Sequence, residues 1–86
     1  MKIIVTAQDI KKGMPCSPGR CPIARAVARA LPEKYVSVTN EAIYCLSLSA
    51  HDLGIKEYQL PTEAKEFINR LDNGETVKPF ILSIGD

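Results

Sequence analysis

The sequence predicts a small α+β domain, a two-layer sandwich. Its sheet is expected to have four to five strands, mixed or antiparallel, with two helices on one face. Three observations point there. Two alternating stretches, Lys34 to Thr39 and Ala42 to Ser49, sit back to back around Asn40-Glu41. Two further stretches, Pro22 to Leu31 and Thr62 to Asp72, carry apolar residues at helical spacing. Short apolar runs flank all of these near both ends of the sequence.

The elements follow in order. Lys2 to Thr6 is short, apolar and β-branched, and reads as the first strand. Thr6 can cap the segment Ala7 to Lys12, with Asp9 three residues on as in a capping box. Gly13 is expected to end that turn in the left-handed conformation. Met14 to Arg20 is loop, because Pro15, Pro18 and Gly19 do not propagate regular structure. Pro22 to Leu31 is a helix: Ile23, Val27 and Leu31 make an apolar stripe that Ala24, Ala28 and Ala30 widen. Arg25 and Arg29 fall on another face and are expected in solvent. Pro32 stops the helix. The two alternating strands follow as a hairpin, with Ile43, Cys45 and Ser47 on one face of the second. Ala50 to Lys56 is expected as a loop or single turn, and Glu57 to Leu60 as a short edge strand. Thr62 to Asp72 is the clearest helix, with Ala64, Phe67, Ile68 and Leu71 as its stripe and Asn73-Gly74 as its stop. Val77 to Ile84 is the last strand; Pro79 restricts it to an edge, a bulge or a late start. The order β, α, β, β, (β), α, β has the split βαβ pattern of ferredoxin-like sandwiches.

One domain over residues 1–86 accounts for this length. The hydrophobic fraction of 45% is that of a globular chain, not a disordered one. With no Trp and few aromatics, the core must be mostly aliphatic. The formal charge is +1, from 11 basic and 10 acidic side chains, whereas nucleic-acid modules usually show a basic excess. Nucleic acid is therefore not the expected partner. Lys11, Lys12, Arg20, Arg25 and Arg29 cluster in the first third, which reads first as a solvated polar face. MKIIVTAQDI is too short and too soon polar for a signal peptide, and no apolar run approaches the roughly 20 residues of a membrane span. A cytoplasmic protein without a membrane partner is expected. Three cysteines, an odd number, argue against a closed disulfide framework. In a reducing compartment they are thiols.

Gly13 to Leu31, GMPCSPGRCPIARAVARAL, is where chemistry would concentrate. Pro22 suits a first helical turn, which puts Cys21 at or beside the N-cap. A helix N-terminus leaves N–H groups unpaired and carries partial positive charge. Cys16, Ser17, Gly19, Arg20, Cys21 and Arg25 are thus the candidate binding residues. Ser17, Gly19 and Arg20 could hold a small anion. The run is not a Walker A motif, nor a phosphatase C-x₅-R loop, since Arg20 follows Cys16 at the fourth position. Near Arg20 and Arg25, the Cys21 thiol could be partly ionised. A nucleophile also needs a base, and the one histidine, His51, is thirty residues away. A packed thiol is the plainer reading. Cys16, Cys21, Cys45 and His51 are the ligand types of a Cys₃His zinc site, but a second close pair is missing. No metal or cofactor is expected. Glu57, Glu63, Glu66, Asp72 and Glu75 offer no evident acid–base pair, so no catalytic residue is assigned.

Ile10, Gly13, Pro15, Ser17 and the run Cys21-Pro22-Ile23-Ala24 are followed downstream by Leu60-Pro61, Phe67, Asp72, Gly74, Pro79 and Phe80. In these residues the chain resembles small uncharacterised proteins encoded by tailed bacteriophages and bacterial prophages. The resemblance spans most of the chain and is most specific from Ser17 to Ala24; Cys16 is not part of it. It implies the cytoplasm of an infected bacterium and an accessory protein that binds something. It brings no activity and no residue roles. The first expectation is accordingly a non-catalytic accessory protein binding a host or phage macromolecule, with an exposed sheet face or edge open to a protein partner or a second copy. The alternatives are an anion- or nucleotide-binding protein using Ser17 to Cys21, and a thiol-dependent enzyme or redox sensor using Cys21.

Overall fold

The computed structural model describes residues 1–32, 34–47 and 54–84. His51 and most of the expected 50–56 loop lie outside the described residues. The chain runs β1 (Lys2–Val5), α1 (Ala7–Lys12), α2 (Pro22–Ala30), β2 (Lys34–Val38), β3 (Ala42–Ser47), β4 (Ile55–Gln59), α3 (Thr62–Asp72), β5 (Phe80–Ser83). The class is α+β, as expected.

The strands divide differently from the single sheet expected. β1 pairs with β5, and β2, β3 and β4 form a separate sheet; every pairing is antiparallel. In the ferredoxin-like order, the first strand would lie beside β3. Here β2 and β4 occupy both edges of β3, so β1 has no ladder to join there. Helix α2 joins the two sheets instead, packing against β1, β2 and α1. Its Ala24 and Ala26 are fully buried and permit close approach. Ala28 and Ala30 face solvent, so the buried face runs through Ala26 rather than through them. One core spans both sheets: Ile3, Val5 and Leu82 from the first, Val38, Ile43 and Cys45 from the second, Ile23 and Val27 from α2. Phe67 of α3 meets Phe80 of β5 with ring centroids 4.8 Å apart.

The local devices explain where the elements begin and end. Thr6 Oγ1 accepts from Asp9 N (3.2 Å) and Asp9 Oδ2 accepts from Thr6 N (2.9 Å), a complete capping box. Gly13 does not adopt the expected left-handed turn; its φ is −71°. Glycine is required by space: a Cβ there would lie 2.6 Å from Asp9 O and 2.7 Å from Pro22 N and Cδ. The loop after α1 thereby presses onto the start of α2. Gly74 is the left-handed residue, at φ +78°. Its N–H donates to Leu71 O, and Glu75 N–H to Arg70 O, which closes α3 in a Schellman motif. Of the choices Pro79 left open, two hold: β5 starts late, at Phe80, and it is an edge strand paired only with β1 among the described residues.

Candidate functional site: the loop groove

The 14–20 loop is held at three points. Met14 N–H donates to Arg20 O (2.8 Å), which closes the loop on itself. Val38 N–H donates to Pro18 O (2.8 Å), which ties it to β2. Cys16 N–H donates to Asp72 Oδ1 (3.1 Å), which ties it to the last turn of α3. Cys16 has φ +59°, a conformation non-glycine residues adopt rarely and at some cost. Between loop, α2, β2 and α3 lies a groove of about 310 Å³. Cys16, Ser17 and Pro18 form one wall, and Cys21 and Ile23 of the α2 start form the next. Val38, Thr39 and Asn40 close one end; Phe67, Ile68, Leu71 and Asp72 complete it from α3.

Of the residues singled out in the sequence, Cys16, Ser17 and Cys21 line this groove; Gly19, Arg20 and Arg25 do not. Gly19 and Arg20 sit on the exposed side of the loop. Arg25 points elsewhere, its Nε 3.6 Å from Asp9 Oδ1. Arg29 does not simply extend into solvent either: its guanidinium grips Asp9 through both oxygens, at 2.8 and 2.9 Å, and also donates to Ile4 O. Asp9 is completely buried, and the Arg29 guanidinium holds its carboxyl at about 2, below the usual 3.8. This cluster ties α1 and α2 to β1. It is structural, since Thr6 and Arg29 engage both carboxylate oxygens.

The α2 N-terminus is capped in part from within. Cys21 is its N-cap, and the buried sulfur accepts from Ala24 N–H (3.3 Å). Pro22 has no N–H to offer. The neighbouring charge is negative, from Asp72, while the arginines lie outside the groove. The described lining therefore offers an anion no cation to pair with. Burial pushes the Cys21 thiol up, and the Asp72 carboxylate pushes Cys16 up. Both are protonated at neutral pH, the reverse of what a nucleophilic thiol needs. Among the described residues, no group of three or more His, Cys, Asp or Glu is placed to hold a metal ion.

The outer face of the three-stranded sheet has different chemistry. Tyr35 pairs with Leu46 and Leu46 with Ile55, so three large apolar side chains form one row across all three strands. They are 66%, 38% and 67% exposed. On the next rung Tyr44 stands between Ser37 and Glu57. The Glu57 carboxylate beside it pushes the Tyr44 hydroxyl's pKa up. The alternation of β2 and β3 carried this face in the sequence, and β4 completes it. The groove's α3 wall was not foreseeable, because it depends on where α3 packs. No family model matches the sequence, and neither a curated protein nor a solved structure does.

Proposed function

We propose that this chain is a non-catalytic accessory protein of phage or prophage type, which binds a host or phage macromolecule through the outer face of its three-stranded sheet. The Tyr35–Leu46–Ile55 row supports this reading. One exposed apolar side chain is ordinary, whereas a contiguous row on a rigid sheet is costly to leave in water and is typical of a contact surface. Tyrosine also suits such a role, being large, stiff and amphipathic. The groove thiols are protonated, which disfavours the thiol-enzyme alternative. The cytoplasm fits cysteines that carry no disulfide. No described helix is long and apolar enough to cross a membrane.

The test is capture from bacterial lysate with three baits: wild type, Tyr35→Ser/Ile55→Ser and Cys21→Ala, with partners identified by mass spectrometry and rebound as purified proteins. The reading expects a stoichiometric partner that the sheet variant loses and the Cys21 variant keeps. A partner lost only with Cys21→Ala would move the contact to the loop. Wild-type protein that binds nothing, and stays monomeric in sedimentation, would overturn the reading.

A further inference from the structure

We propose that the loop groove is a binding site for a small organic cation, an ammonium group carried on an apolar body of one ring or a short alkyl chain. The proposal goes beyond the sheet-face reading and does not rest on it. The volume of about 310 Å³ is at the small end of ligand pockets and fits about one ring with its substituent. Ile23, Val38, Phe67, Ile68 and Leu71 give it apolar walls. Among the described lining residues Asp72 alone carries a formal charge. No ion pair to Asp72 occurs among the described residues. Its position is set by the Cys16 N–H, a neutral donor that orients the carboxylate and leaves its charge in place. That charge reaches into the groove, since it disfavours the thiolate of Cys21 as well as that of Cys16. The side chains of Ser17 and Asn40 line the same space and make no hydrogen bond to a described residue, so neutral polar contacts remain open. Apolar walls with one fixed carboxylate select a cation over a neutral isostere and repel an anion.

The experiment titrates ¹⁵N-labelled protein with phenethylammonium, 2-phenylethanol and phenylacetate, following backbone amide shifts. The Cys16 amide, bonded to Asp72, is the direct reporter. Phenethylammonium is expected to bind with Kd on the order of 1–10 mM, the range open to so small a ligand. It should bind about fivefold tighter than the alcohol, the worth of a good exposed ion pair. Asp72→Asn, which keeps an oxygen for the Cys16 N–H, should remove that advantage and leave the alcohol's affinity unchanged. Equal binding of amine and alcohol to the wild type would overturn the proposal, whatever the variant does. So would tighter binding of phenylacetate, or no saturable shift of groove amides by about 20 mM amine.

Discussion

Asp9 is the residue on which the α1–α2 junction depends. Its carboxyl is held at about 2, so it binds protons less readily folded than unfolded. A depressed carboxyl contributes stability that is complete above its unfolded value near 4 and is lost as pH falls towards 2. Because Arg29 is half exposed, with 52% of its side chain in solvent, solvent screening reduces the contribution to about 1–2 kcal/mol. Urea unfolding at pH 6, 4, 3 and 2 should show that loss below pH 4, and Arg29→Met should largely flatten it. Asp9→Ala should cost more, about 3 kcal/mol at neutral pH, because it also orphans the Thr6 N–H and leaves the Arg29 guanidinium without its carboxylate. The thiols give a second residue-scale prediction. Iodoacetamide at pH 7 should label exposed Cys16 before buried Cys21 and Cys45, and Cys16 more slowly than an unperturbed exposed cysteine, since its pKa is raised. Mass mapping of partly labelled protein reads both. The capping role of Asp9 was legible in Thr6-x-x-Asp9, but its pairing with Arg29 was not. Arg25 and Arg29 look like a solvated pair until α1 is folded against α2.

Two glycines punctuate the elements for different reasons, and substitution separates them. Gly13 has an ordinary φ but no room, with three backbone or ring atoms inside 3 Å of any Cβ. Gly74 has room but a positive φ. Gly74→Ala should cost about 1 kcal/mol, the price of a left-handed alanine. Gly13→Ala should cost about 1–3 kcal/mol, because backbone must move on both sides of the contact. Urea midpoints at unchanged slope would establish the order. The legibility of the elements follows their burial. α3 was readable to the residue because a Pro start, an apolar stripe and Asn-Gly all agree. The sequence pattern puts the start of β4 two residues late because Ile55, Lys56 and Glu57 are all exposed. An edge strand open on both faces has no alternation to read. Lys56 lies over the Tyr58 ring at 5.2 Å, a charge of the kind that discourages edge pairing.

For the whole molecule, the sequence carried the class and the hairpin but not the partition into two sheets. Partition depends on which edge of β3 is filled, and the periodicity of β1 is the same whether it pairs with β3 or stands apart. Amide hydrogen exchange should reveal the division. β3, paired on both sides, should exchange slowest among the strands, and β4 amides facing away from β3 should exchange fast. β1 and β5 should respond together to Leu82→Ala, since a two-stranded sheet has little stability of its own.

The register Lys2↔Ser83 has a consequence for synthesis. β1 leaves the ribosome well before β5, the strand it pairs with. Until residue 80 emerges, Ile3 and Val5 have α2 to shelter against but no ladder to complete. The closure is slow rather than weak, because loop entropy grows only gradually with length. A nascent chain stalled or cleaved in α3 therefore displays β1 as an open apolar edge, available to any neighbouring chain.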